Sequence, residues 1–517
     1  MKSKKGPIIV FVIIIIMVAI AYFGKEFLFS ERQKNTSDSE GKTENIEWAG
    51  DGYLGYSFLR TVEMKKQLAR KGLSLSFHDD NGDYATRLKK FSENEYDFIV
   101  LPINSFLEHG GEYEYPGVIV SGICESRGAD ALVGFEDVLP NGKINDLNNS
   151  DLIIYYTGAS PSSFLLDLTI SDFALDELKE DDSWRRELGG SEEVYKIAQK
   201  ASKNREIGDA FVMWEPEVTK SIQKLGMKKL WGSDQFKGYI IDVVVFHRDY
   251  VLKNPEKIKI FLKVYFRVLN HYSSRNEEMI DELSKIAGID DKVVGNMIEN
   301  IDWYTLHENC SMLFDIPLAI GMPSNDGIIN SIFACSDVMN RMGKINDEFN
   351  DPYLLLNSTF LEELKDIELN RGGDQNSGKP VEFSSLTLKE WMNLVEIGTM
   401  RVNPITFQSG TSLLDFQGEE IVDKVAGLLI NNYPEYRIII KGHTGKGDEI
   451  ENKKLSMERA KIVKQRLIAV HSIQAERLHA AGYGAKQAPN KKTGENPRAY
   501  SLRWARVEFV LVDSSEF

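Results

Sequence analysis

A chain of 517 residues with 42% hydrophobic content is long enough for two to four globular domains. Its formal net charge of −16 excludes an electrostatic nucleic-acid partner and disfavours anionic membrane surfaces beyond the extreme N-terminus. Three cysteines, Cys124, Cys310 and Cys335, lack any metal-ligand spacing; at most one pair, Cys310 with Cys335, can bridge, and buried free thiols are expected.

Lys2, Lys4 and Lys5 precede an uncharged run, Gly6 to Gly24, dominated by Ile, Val, Phe and Ala. About 20 apolar residues cross a bilayer core, and the preceding lysines favour a cytoplasmic N-terminus. Residues 1–25 are therefore expected to form an uncleaved transmembrane signal anchor. A cleaved signal peptide is the rival, because Ala19-Ile20-Ala21 has the form of a cleavage site. Residues 26–44, which include ERQKNTSDSEGKTE, are polar and aperiodic, as in a solvated linker.

From residue 45 to 366 the pattern alternates strand and helix, which argues for an α/β architecture rich in parallel strands. Strands are expected at Ile46–Ala49, Leu73–Phe77, Tyr96–Pro102, Val118–Ile123, Asp151–Tyr156, Ala210–Trp214 and Ile240–Phe246, and a long helix at Pro255–Tyr272. Residues 367–395 contain a Gly/Asn/Ser-rich linker and a helix, Leu386–Val395. The C-terminal unit, 396–517, is expected to open with a strand at Ile405–Phe407. It continues with a β-branched strand from Arg437, an amphipathic helix carrying Leu455, Ile462, Val463 and Leu467, and strands near Leu478–Gly484 and Ala505–Val512.

Two sets of motifs carry resemblances. Glu125-Ser126-Arg127-Gly128-Ala129-Asp130-Ala131, Gly208-Asp209-Ala210, Trp214-Glu215-Pro216 and Asn254-Pro255-Glu256-Lys257 resemble the type 2 periplasmic binding proteins of the nitrate, sulfonate and thiamine-precursor branch. The resemblance implies two α/β lobes, 45–122 with 247–366 and 132–238, joined by crossings near 123–131 and 239–246, with a solute held between them. Gly442-His443-Thr444, Asn452, Leu455-Ser456, Arg459-Ala460, Gly482-Tyr483-Gly484 and Arg506-Val507-Glu508 resemble the OmpA-like peptidoglycan-binding domain over about Val402 to Asp513. Flagellar-stator proteins also join one span to such a domain, but they need an intramembrane carboxylate, and this span has none.

Ligands of open α/β sheets sit at the carboxyl ends of strands. Trp48, Asp51, Tyr53 and Tyr56 follow the first strand, and Trp214 and Glu215 end a later one. Ser160, Ser162 and Ser163 open a helix after a strand, and free amides there make an anion site. Together these nine residues are the expected solute site, for an anionic or zwitterionic molecule. Ser126, Arg127 and Asp130 lie on the crossing, where Arg127 and Asp130 are expected to pair structurally.

In the OmpA-like family an Asp in the turn and the helix Arg hold the amine and carboxylate of the wall peptide's diamino acid. Here the Arg is Arg459, but the Asp position is Gly445, and the family's Asn-Arg-Arg-Val-Glu end reads Trp504-Ala505-Arg506-Val507-Glu508. Thr444, Asp448, Asn452, Arg459 and Arg506 are the expected wall contacts, with Asp448 the stand-in acid. A degenerate domain kept for packing is the bland alternative.

The eight histidines are scattered and form no His-x-x-x-His pattern, and no Gly-x-Ser-x-Gly or phosphate loop occurs, so neither an enzyme nor a metal or cofactor site is expected. The expectation is an inner-membrane, single-pass envelope receptor of the ABC-transporter type, with its bulk in the periplasm. Its partners would be a small solute, peptidoglycan and an ABC permease. The rival is a structural wall tether whose lobes have become a protein-interaction surface; its cleft would lack convergent polar groups.

Overall fold

The computed structural model describes residues 43–513 except 320–321, 346–350, 370–381, 409–410, 446, 490 and 492–494. The expected membrane anchor and most of both expected linkers lie outside the described residues. Among the described residues no helix is long and apolar enough to cross a membrane.

The chain builds three sheets. Strands β1 (Glu44–Gly50), β2 (Leu73–Asp79), β3 (Phe98–Pro102) and β4 (Gly117–Ser126) start the first. Strands β5 (Asp130–Gly134), β6 (Ile154–Thr157), β7 (Arg185–Leu188), β8 (Ala210–Trp214) and β9 (Lys228–Gly232) form the second. The chain then returns to the first sheet as β10 (Ile241–His247) and β11 (Ile301–Trp303). The first sheet has the order β11-β4-β10-β3-β1-β2, and the second β7-β6-β8-β5-β9. In both, parallel pairs (β1 with β2 and β3; β6 with β7 and β8) meet antiparallel strands that lead to the crossings. This is a two-lobed α/β architecture with two crossing segments, Arg127–Ala129 and Ser233–Ile240. The crossings are tied together: Ser233 Oγ accepts from Gly128 N at 2.8 Å and shares a 2.8 Å hydrogen bond with Ser126 Oγ.

Continuous apolar runs explain why these strands lie inside. All five residues of FIVLP in β3 are buried, as expected of a strand covered on both faces. The side chains of Ile46 and Trp48 share one face of β1, and both are buried. Trp48 is 1% exposed, with its ring 5.6 Å from Phe98 in parallel stacking and 4.5 Å from Phe77. All three cysteines are buried and free.

The third sheet comprises β12 (Val395–Thr399), β13 (Arg437–His443), β14 (Leu478–Gly484) and β15 (Arg506–Asp513), in the order β12-β15-β13-β14. The expected opening strand at Ile405–Phe407 is corrected. The sheet opens ten residues earlier in the chain, at Val395 opposite Asp513, and Phe407 makes only an isolated bridge to Leu414. Pro404 supplies no N–H to a ladder there, which disfavours a strand. The preceding helix is correspondingly short, Leu388–Asn393, with Thr387 and Glu390 forming a capping box. The helix Glu449–Ala469 lies directly on the sheet through Ser456, Ala460, Val463 and Leu467. A Cβ on Gly442 would stand 2.0 Å from Ser456 O, and one on Gly482 2.7 Å from Met457 N. Only glycine permits so close an approach of helix and strand.

The third unit docks on the second lobe and on the return crossing. Asp172, 3% exposed at the end of the helix Pro161–Asp172, accepts from Tyr433 Oη at 2.7 Å and Tyr239 Oη at 3.1 Å, and pairs with Arg341 at 3.0 Å. Glu435 pairs with Arg127 at 2.9 Å and Lys237 at 3.1 Å. Arg127 also reaches Asp302 at 3.3 Å. The expected Arg127–Asp130 pairing is thus corrected: the guanidinium is taken by carboxylates of the third unit and β11, and Asp130 faces elsewhere.

Candidate functional site

A cavity of about 270 Å³ opens between the two sheets, bordered by the carboxyl ends of β1, β3 and β8 and by both crossings. From the first lobe come Asp51, Tyr53, Tyr56 and Tyr84; from the second, Pro161, Trp214 and Glu215; from the crossing strands, Asp130 and Asp242. The loop after β1 is set by Asp51, whose Oδ1 accepts from Tyr53 N at 2.9 Å. Its Oδ2 pairs at 2.9 Å with Arg87, a fully buried guanidinium that also holds Asp80 at 2.5 Å and 2.6 Å. Arg87 is therefore committed before any solute arrives.

Asp242 begins β10, where its carboxyl accepts from Tyr56 Oη and, at 3.7 Å, from Cys124 Sγ. Burial pushes this carboxyl up to about 8; the Tyr56 hydrogen bond opposes the shift, and Asp51 and Asp130 add to it. Asp130 Oδ2 accepts from Ser126 Oγ at 2.8 Å. Burial raises Asp130 to about 7 against that hydrogen bond, with the charges of Glu215 and Asp51 contributing. Glu215 is also raised by burial, although Thr219 donates to it from N at 3.0 Å and Oγ1 at 2.8 Å.

The nine residues expected at the solute site do not all meet there. Asp51, Tyr53, Tyr56, Trp214 and Glu215 border the cavity. Trp48 does not: it is core, pointing with Ile46 away from the strand end, and the expectation is corrected. The serines are corrected as contacts too. Ser160 is the N-cap, accepting from Ser162 N at 3.2 Å and donating to Thr157 O at 2.8 Å, while Ser163 Oγ bonds Ser160 N and O at 3.1 and 2.8 Å. These side chains serve the helix start itself. Ser162 Oγ is buried without a partner among the described residues, and Pro161 is the residue of this segment that borders the cavity. Asp130, Asp242 and Tyr84 were missed as contacts. The legible signal was a lone acid within an apolar run, Asp242 in IIDVVVF and Asp130 in ADALVG.

At the turn after β13, Arg459 lies over the Phe407 ring at 4.7 Å, and its buried Nε has no partner among the described residues; burial lowers its pKa. Thr444, 3% exposed, has an Oγ1 without a partner among the described residues. Asn452 Nδ2 donates to Gly445 O at 3.1 Å and so shapes the turn. Two expected contacts are spent elsewhere. Asp448 Oδ1 caps the helix, accepting from Ile450 N at 3.0 Å and Glu451 N at 2.9 Å. Arg506 pairs with Glu508 at 2.6 Å. Burial opposes ionisation of Glu508, yet the His443 hydrogen bond and the Arg506 charge outweigh it and hold its carboxyl at about 2.

Residues 406–501 match the OmpA family, so the resemblance read from the C-terminal motifs is borne out. No curated protein matches the chain. Solved structures similar to it include the periplasmic aliphatic sulphonate binding protein SsuA of Escherichia coli, at 17% identity and a TM-score of 0.41 over 50% of this chain and 86% of that one. The periplasmic sulfonate-binding protein SsuA of Methylobacillus flagellatus KT is similar at 14% identity and 0.48, over 66% of this chain and 100% of that one. The periplasmic nitrate-binding protein NrtA of Synechocystis PCC 6803 is similar at 9% and 0.46, over 66% and 93%. These are solute-binding proteins of the branch named from the sequence; the two-lobed topology stands on the chain's own strand pairing.

Proposed function

We propose that this protein is a cell-envelope solute receptor: the two lobes close over a small molecule, and the OmpA-like unit holds the receptor at the peptidoglycan. The observation that carries the reading is a cavity bordered by both lobes and both crossings, with buried polar groups converging on it from each. A structural tether would have no use for several acids gathered at one cavity, since burying carboxyls costs stability. Hinge bending at the crossings would close the lobes, exclude water and strengthen the polar contacts. Bound solute would pass to an ABC permease, with the N-terminal apolar run as inner-membrane anchor and the bulk of the chain in the periplasm. The chemistry proposed is reversible binding, without catalysis. Wall attachment would rest on Arg459 and Thr444.

The test is thermal unfolding of the full chain with and without the small-molecule fraction of source cells. A ligand that binds only the folded state at a hundred times its Kd adds about 2.7 kcal/mol. A rise in melting temperature that disappears in Trp214→Ala supports the reading; no rise with any fraction refutes it.

A further inference from the structure

Resting on the solute-receptor reading, we infer that the solute is a compact organic cation bearing an amino or quaternary ammonium group. Four carboxyl side chains border the cavity, Asp51, Asp130, Glu215 and Asp242, and no Lys, Arg or His among the described residues does so. The nearby cations stay off the cavity wall. Arg87 is fully buried between Asp51 and Asp80, and Lys229 pairs with Asp234 at 2.6 Å. Arg60 packs on the Phe77 ring at 4.8 Å and does not border the cavity. A nitrate or sulfonate placed here would find no cationic partner and several acids, so charge alone separates this cleft from an anion site.

A second observation points to a ligand. Asp130 is 4% exposed, yet only its Oδ2 has a hydrogen-bond partner, Ser126; Oδ1 has none among the described residues, and the residue borders the cavity. An acceptor without a protein partner at the cavity wall is a place where an ammonium group can donate. Burial first, and then the neighbouring carboxyls, raise the pKa of Asp130 and of Asp242, and a cation among them would offset that repulsion. Tyr53, Tyr84 and Trp214 supply aromatic wall, and ring faces attract ammonium groups. The volume, about 270 Å³, lies at the small end for ligand sites and limits the solute to a compact molecule.

The experiment separates the small molecules of source cells on cation- and anion-exchange resin and offers each fraction, and choline and putrescine, to the full chain in native mass spectrometry. The expected result is an adduct from the cation fraction, with affinity roughly tenfold or more weaker in Asp130→Asn and in Glu215→Gln. The second variant guards against misfolding of the first. An adduct from the anion or unretained fraction, or a cation adduct indifferent to both variants, overturns the inference while the receptor reading stands. No adduct from any fraction overturns both.

Discussion

Asp130→Asn gives the sharpest prediction on stability. The folded carboxyl titrates at about 7 against a reference of 3.8. The folded state therefore binds its proton more tightly than the unfolded chain. Stability is greatest below pH 4, and a penalty accumulates as pH rises to about 7, where it levels off. At roughly 1.4 kcal/mol per pH unit, the penalty from this group is on the order of 1–2 kcal/mol at pH 5 and about 4 kcal/mol at pH 8. Asn cannot ionise and carries neither. Whatever fixed cost the amide brings, the variant gains about 3 kcal/mol on wild type between pH 5 and pH 8. For a unit of about 300 residues this is roughly 4–5 °C in melting temperature, read by calorimetry of the full chain at both pH values. An Asn effect equal at pH 5 and pH 8 would refute the idea that burial holds the Asp130 carboxyl well above its ordinary pKa.

Three further outcomes follow from the packing. Trp48→Phe leaves a gap between Phe77 and Phe98 and is expected to cost about 1–3 kcal/mol in thermal unfolding, with solute affinity unchanged; a lost affinity at unchanged stability would place Trp48 at the site after all. A Cβ on Gly445 meets nothing within 4 Å among the described residues, so Gly445→Asp returns the family's acid to the turn with room for its Cβ. It is expected to raise retention on sacculi roughly tenfold, about 1.4 kcal/mol, and equal retention would remove the turn from the binding account. Tyr433→Phe removes one of three side-chain partners of buried Asp172, at about 1 kcal/mol. Faster hydrogen exchange at residues 432–436 is expected, and unchanged exchange would mean that the docking of the third unit does not depend on this bond.

The elements most legible in the sequence were those whose apolar pattern is unbroken. YDFIVLP reads as a buried strand, and its last five residues form one, and the OmpA-like motif follows from steric need: Gly442 and Gly482 stand where a helix touches the sheet. The site was legible only in part. Trp48 was assigned by position near a strand end, although period two places it with Ile46 in the core. The serines at the Pro161 helix read as an anion site, but the hydroxyls of Ser160 and Ser163 satisfy the helix start itself. Asp130 and Asp242 escaped notice as contacts because their significance is tertiary. Each sits in an apolar run, and the topology brings the two runs together only where the lobes cross. The strand at Val395–Thr399 was missed because its partner, β15, lies over a hundred residues later, and local pattern gave precedence to the helix before it.

The most direct test of the account is native mass spectrometry of the full chain, purified gently from the source envelope without added ligand. The account predicts a small-molecule adduct that is lost on mild activation and is absent from Trp214→Ala prepared in the same way. A clean unliganded mass for the wild type, unchanged after incubation with cell extract, would contradict solute capture in the cleft.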